Sequence, residues 1–398
     1  MGKKRVTAAL IVLCGSGVSA SADETLKLAV SVPTTGAAAS WGIGCDWVGQ
    51  KAAKEINEHG GIKAGGQTYK LEFTAYDNGY TAAGGAKSGQ AMLNRDNVRF
   101  ISQSLGTAPV RALQSLSEKT GAVLLTTAWG KSIKGPKFPL TFTNSNTAYE
   151  IFGPLFALIK ERYPDAKTVA LLNPNDATGQ EAEAEAQIQW KKLGLNVISS
   201  SFYERGTTEF QPIATKLAQA HADIVDFGGS APTDTGSVLK ELAVQEWQGI
   251  KVYSAGTGSD SLVKVGGKAV EDTYMGQAAN FSGPNATPLQ SKLDTEARTA
   301  LNEPLNILQM GCWDGVMVIK AGIERANSID PRLVAKALPE AVVETSYGPI
   351  TYGGAATYGS PQQLLLPVIV TQIKNGDTVE IKRVISSELP ENLRKKYE

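Results

Sequence analysis

Histidine and cysteine are scarce in this 398-residue chain, with two of the former (His59, His221) and three of the latter (Cys14, Cys45, Cys312). Both histidines fall at predicted helix ends near Gly or Asp, where solvation is the simplest account of them. No H-E-x-x-H, C-x-x-C, G-x-S-x-G or G-x-x-x-x-G-K-[ST] pattern occurs, which removes the usual zinc, redox, acyl-transfer and nucleotide sites. The Gly-rich pieces Gly228-Gly229-Ser230 and Gly256-Thr257-Gly258-Ser259 do not continue as G-x-G-x-x-G, so a dinucleotide site is not expected. Carboxylate pairs such as Glu181, Glu183 and Glu185 read as helix-surface charge. With no nucleophile and base in view and no cofactor motif, the residues point to binding, not catalysis.

Charge bias is also missing, since acidic and basic residues number 39 each. Beyond the first residues no run of ~18 apolar positions exists to span a membrane. The start itself reads as a signal peptide over 1–22. Met1-Gly2-Lys3-Lys4-Arg5 is basic, Val6–Leu13 is apolar, and Val18-Ser19-Ala20-Ser21-Ala22 offers small-residue cleavage sites. Cleavage after Ala22 removes three of the 39 basic residues and no acidic one, for a net charge of about −3. Nucleic acid is therefore not an expected partner, and the chain is expected to be an exported, soluble protein. Cys14 follows Ile11-Val12-Leu13 without the small residue that precedes a lipidated cysteine. Cys45 and Cys312 are too few for a disulfide framework, and two free buried thiols are the expectation.

Strand and helix patterns alternate along the chain, which predicts an α/β fold with doubly wound parallel sheets, in two lobes at this length. The most informative stretch is Arg99–Lys131. It reads as a buried strand to Ser104, a Gly106-Thr107 turn, a helix over Ala108–Thr120 and a second buried strand, Ala122–Thr127, ending at Trp129. Strand ends of this kind face the ligand crevice of an open sheet. Thr107 is a good helix cap, and free N–H groups of that first turn can hold a carboxylate. Read alone, Thr107 could serve only as a cap and Trp129 only as core.

Several stretches together resemble the solute-binding proteins of ABC transporters of the leucine/isoleucine/valine-binding type. They are Val30–Gly36, Trp41-Gly42, Ala52–Ile62 (AAKEINEHGGI), Tyr76-Asp77-Asn78, Gly121–Thr126, Asn175–Gln180, Glu209-Phe210, Asp226–Gly229 and Trp313-Asp314-Gly315. The resemblance implies the type I periplasmic-binding fold, two lobes joined by a three-crossing hinge. It puts 23–142 with 276–347 in the first lobe and 143–275 with 348–398 in the second, with crossings at Thr141–Asn144, Tyr274–Gly276 and Tyr347–Thr351.

By the same resemblance Thr107, flanked by Gly106 and Ala108, binds a ligand carboxylate. Thr127, Ala128 and Trp129 line the next strand end, and Trp41 packs over the ligand. Two second-lobe positions that carry aromatics in the family hold Thr178 and Ser230 here. The acidic residue that holds an ammonium is missing from Ser254–Ser259, and Asp260 just beyond is its candidate substitute. If Asp260 or another group holds the ammonium the ligand is a hydrophobic amino acid; if none does, Trp41 and Trp129 suit a flat, apolar or aromatic carboxylate, and both ligand classes stay open. The implied partners are a small carboxylate-bearing ligand and the permease subunits of an ABC transporter, with the chain acting as a monomer. A ligand sensor of the same fold, feeding a signalling partner, is the alternative.

Overall fold

The computed structural model describes residues 24–397, so the expected signal peptide and Cys14 lie outside the described residues. The first strands are β1 (Glu24–Val32), β2 (Ile62–Ala64), β3 (Gln67–Asp77), β4 (Phe100–Ser104), β5 (Val123–Thr126) and β6 (Thr141–Thr143). Next come β7 (Thr168–Pro174), β8 (Asn196–Tyr203), β9 (Ile224–Asp226), β10 (Ile250–Tyr253) and β11 (Tyr274–Met275). The last third adds β12 (Val343–Thr345), β13 (Gly348–Ile350), β14 (Tyr352–Gly353), β15 (Gln363–Leu364), β16 (Val368–Lys374) and β17 (Asp377–Val384).

The described residues form two large sheets, ordered β14-β15-β6-β5-β4-β1-β3-β2 and β17-β16-β11-β10-β9-β7-β8, and a separate two-stranded one, β12-β13. The central pairs of the large sheets are parallel. Helices cover both faces of such a sheet, so central strands bury every position. Phe100–Ser104 and Val123–Thr126 do so without exception. Edge strand β8 instead alternates exposed and covered residues. Each large sheet has its own apolar core, one around Val30, Trp313 and Val316, the other around Phe152, Phe156 and Trp190.

The chain passes between lobes at 144–147, 276–280 and 365–367, and returns to the first core with Leu389 and Leu393. The third crossing is not at Tyr347–Thr351 as expected. There β12 and β13 form an antiparallel hairpin on the first lobe, with Val343 and Ile350 in its core. Asp314 fastens that hairpin to helix Ile307–Ala326, accepting from the Ser346 N–H (2.5 Å) and hydroxyl (2.9 Å). Consequently β14 and β15 belong to the first sheet, and the change of lobe comes after them, not at 348. β16 and β17 join through Asn375 (φ 52°) and Gly376 (φ 79°), the left-handed pair that a tight hairpin needs.

Buried amides sew the crossings together. Gln277 Nε2 donates to Ser145 Oγ (2.5 Å) and to the Asn146 carbonyl (2.9 Å). Asn146 Nδ2 in turn donates to the carbonyls of Leu366 (3.2 Å) and Pro367 (2.9 Å). The free-thiol expectation is overturned as well, because Cys45 and Cys312 are bonded, 267 residues apart in sequence. Helices Cys45–Glu58 and Ile307–Ala326 pack with these Cα atoms 5.6 Å apart, inside the range a bridge requires.

Candidate ligand cleft

The cleft lies where the carboxyl ends of both sheets face each other. On the first lobe, β4 runs through Leu105 into Gly106, whose φ of 93° starts helix Thr107–Thr120. A Cβ at Gly106 would stand 2.7 Å from Pro109 Cγ and 2.9 Å from Tyr80, so the turn excludes a side chain. Gly106 is thus the cap, and Thr107 is the first helical residue rather than the cap predicted for it. Freed from capping, the Thr107 hydroxyl accepts from the Gly130 N–H (3.2 Å) and from the Thr178 hydroxyl of the second lobe (2.9 Å). Thr178 Oγ1 also accepts from the Thr107 N–H (3.3 Å) and bonds the Tyr80 hydroxyl (3.2 Å).

At the end of β5, Thr126 and Thr127 both turn hydroxyls onto the Ser104 carbonyl (3.1 and 3.4 Å), which fixes the path of Ala128 and Trp129. The Trp129 ring crosses to the second-lobe core and meets Phe152 edge-on, 5.8 Å between centroids. Trp41 and Tyr80 stand together at 5.3 Å.

These groups line a small, largely apolar cavity of about 30 Å³. Trp41, Gly106, Thr127, Ala128, Trp129 and Thr178 line it, while Thr107 lies behind Thr178 and Ala108 is half-buried in the first helical turn. Ser230 is buried beside lining Gly229, its carbonyl accepting from Tyr253 (3.0 Å). Asp260 is elsewhere. It opens on a separate cavity with Asn280, Asp294 and Arg298, because helix Ser259–Gly266 carries it away from the cleft; burial raises its pKa. A larger opening of about 750 Å³, around Trp247 and Lys251, lies at the opposite end of β10 from the cleft.

The sequence reading missed Tyr80, Leu105, Leu308 and, above all, Arg205. Arg205 follows β8, so the strand-end rule that flagged Thr107 could have flagged it too. Its Nε pairs with Asp176, and its Nη2 donates to the Gly229 carbonyl (3.2 Å). The guanidinium lies 4.7 Å from the Tyr80 ring centre and 5.3 Å from that of Trp41, both on the other lobe. Burial works against its charge, but Tyr80, Asp176 and Tyr203 more than offset this and hold its pKa above the ordinary range. Nearby Asp234, bonded by the Tyr203 hydroxyl (2.8 Å), is pushed up by burial.

Among the described residues, three buried donors near this corner find no hydrogen-bond partner: Trp41 Nε1, Arg205 Nη1 and Asn173 Nδ2. At the cleft mouth Glu181 of the second lobe accepts from Arg111 (3.2 Å), the Ser132 N–H (3.1 Å) and the Ser132 hydroxyl (2.5 Å) of the first. Among the described residues no cluster of three or more His, Cys, Asp or Glu is placed to hold a metal, and no helix is long and apolar enough to cross a membrane.

Comparison with known proteins agrees with this architecture. The chain is 26% identical over 346 residues to the leucine-, isoleucine-, valine-, threonine-, and alanine-binding protein of Pseudomonas aeruginosa, covering 85% of this chain and 89% of that one. Among solved structures, a leucine-binding protein from Thermotoga maritima superposes with a TM-score of 0.77 at 17% identity, covering 92% of this chain and 100% of the other. A solute-binding protein of an ABC transporter from R. palustris, in complex with 4-hydroxybenzoate, gives 0.75 at 18% identity and covers 91% and 96%. The profile of the periplasmic binding protein family matches residues 25–377, nearly the whole described chain. The chain belongs to the periplasmic binding proteins, which are solute-binding proteins of transporters and not enzymes.

Proposed function

We propose that this protein serves an ABC transporter as its periplasmic receptor for a flat aromatic carboxylate, held between the lobes and handed as a single chain to the permease. One observation carries the choice of ligand. Among the described residues, three aromatic rings line the cavity, and no acidic side chain does. An ammonium there would be buried without a counter-charge, at a cost of several kcal/mol. A ring between Trp41, Tyr80 and Trp129 gains apolar area and edge or offset contacts instead.

The carboxylate seats at the first turn of helix Thr107–Thr120, taking the place of Thr178 at the Thr107 N–H and hydroxyl, where the helix dipole favours an anion. Thr178 then exchanges Thr107 for the ligand. The contacts of Thr178, Arg205 and Glu181 already join the two lobes. A ligand that touches both faces therefore favours the closed shape over the open one, and the permease reads that shape. The known 4-hydroxybenzoate complex of a relative of this fold supports the class.

Thermal unfolding of the mature protein against benzoate-type acids, branched-chain amino acids and short aliphatic acids tests this. A true ligand at about a hundred times its Kd adds about 2.7 kcal/mol, several degrees in Tm. The aromatic acids should give the shift. A shift with leucine or isoleucine alone would overturn the choice of ligand.

A further inference from the structure

The segment that follows β17 returns to the first lobe, and we infer that residues 385–397 act as a strap, a further tether beside the three crossings that restricts how the hinge can swing. The strap lies past residue 377, where the match to the family profile ends, and the inference holds whichever solute the cleft takes.

The change of lobe is abrupt. Val384 packs on the core of the second lobe and Ile385, the next residue, on the core of the first. β17 is paired with β16 as far as Val384, which stands opposite Val368. A turn closed by the Leu389 N–H on the Ser386 carbonyl (3.2 Å) begins two residues later, and in it the Glu388 carboxylate accepts from the Gly354 N–H (2.7 Å) of the first lobe. Ile385 is thus the link between two anchored pieces, and one extended residue spans only ~3.3–3.6 Å. Such a link carries almost no slack.

The far end of the strap is also seated. Leu389 and Leu393 are 2% and 5% exposed in the first-lobe core, and the Tyr397 hydroxyl donates to the Pro349 carbonyl (3.2 Å) on the β12–β13 hairpin. β17 itself reaches across the gap, where Arg383 Nη2 donates to the Asn285 carbonyl (3.4 Å), just beyond first-core Phe281.

The placement gives the strap leverage. β17 is the outermost strand of its sheet and pairs with β16, which enters from the crossing at 365–367. The β16–β17 hairpin is therefore tied to the first lobe at both ends. The two ties stay apart, because a cavity of about 440 Å³ lies between them, lined by Asn146 and Leu366 of the crossings and by Ser386 and Glu388 of the strap. A tether set at a distance from the other crossings resists twisting as well as opening. A receptor held in this way samples few hinge angles when unliganded and loses little freedom when a solute closes it.

Interlobe distances tell whether the strap acts so. They are measured by pulsed dipolar spectroscopy on the unliganded mature protein, spin-labelled at Lys119→Cys in the first lobe and Lys240→Cys in the second. Both positions are exposed, and the native Cys45 and Cys312 are bonded to each other. Three proteins are compared: wild type, a strap lengthened by Gly-Ser-Gly-Ser between Ile385 and Ser386, and a control with the same insertion between Gly65 and Gly66 in the β2–β3 turn. The lengthened strap keeps its docking contacts and gains up to ~13 Å of reach. Wild type and control should share one narrow distribution, and the lengthened strap should give one several ångströms wider, with the added population at longer separations. Superposable distributions for wild type and lengthened strap would overturn the inference. Equal widening in the control would do the same. If the lengthened protein does not fold, Leu389→Ala with Leu393→Ala, which loosens the seat at constant chain length, must widen the distribution instead, and an unchanged width there refutes the strap.

Discussion

The two faces of the cleft are built by different means. The first-lobe face is neutral: a glycine turn, a helix start and threonine hydroxyls that bond to backbone a few residues away or on the next strand. The second-lobe face is charged, with Arg205 held by Asp176 from a different loop and Asp234 nearby. A face made of local turns is set by its own strand and helix. A face made of a buried ion pair depends on both partners arriving. On the reading proposed above, the neutral face is the one that takes the carboxylate.

That contrast predicts unequal costs of substitution. Asp176→Ala leaves the Arg205 guanidinium, only 13% exposed, without its carboxylate and should lower unfolding free energy by about 3 kcal/mol, the low end for a broken buried pair. It also removes the cap that accepts from the Gly179 N–H at the start of helix Ala177–Lys192. Thr107→Val loses hydrogen bonds to Gly130 and Thr178 and should cost about 1 kcal/mol. Urea unfolding of the two variants measures both. If Thr107→Val proves the costlier, the neutral face is the structural one and the contrast is broken.

Acidity sharpens the comparison next. Asp314 is a fully buried carboxyl of the first lobe, and burial raises its pKa to about 7 against hydrogen bonds from Ser346. The folded state therefore prefers the protonated acid. Below the ordinary carboxylate pKa of about 4 this group is neutral with respect to stability. As pH climbs from there to about 7 it destabilises the fold, by about 4 kcal/mol, and above that the effect is constant. Asp226 and Asp234 of the second lobe are also raised by burial and act in the same direction. Melting temperature as a function of pH for wild type and Asp314→Asn should diverge through that window, the difference being the share of Asp314. Parallel curves would assign the whole slope to the second lobe.

Much of the neutral face was legible in the sequence, and little of the charged one. Arg99–Trp129 is a strand, turn, helix and strand within one contiguous stretch, so apolar periodicity and Gly106-Thr107 sufficed to place it, down to Trp129 at the rim. Only the cap was misassigned, by one residue, because the positive φ of Gly106 is a property of the turn as a whole. Arg205 reads as an ordinary loop cation. Its meaning comes from Trp41 and Tyr80, which reach it across two sheets. The Cys45–Cys312 bridge and the crossing at 365–367 were hidden for the same reason: each depends on where remote helices and strands land, which no local pattern carries. Asp260 was chosen for its sequence distance from a family position, and one helix start was enough to turn it away.

The smallest expected effect lies where the two faces meet. Glu181 bridges Arg111 and Ser132 at the cleft mouth, and the Arg111 side chain is 53% exposed, so the pair should add less than about 1 kcal/mol to unfolding. Its influence belongs to closure instead, since Glu181 and its partners sit on opposite lobes. Glu181→Gln should melt as wild type does, yet release an aromatic acid a few-fold faster in stopped-flow fluorescence. The wild-type release rate should rise as salt is increased toward about 1 M, where screening reaches only about 3 Å, and the variant's should change less. A variant that keeps the wild-type salt dependence would mean that salt acts on Arg205 and Asp176, and the charged face would then control how long the ligand stays.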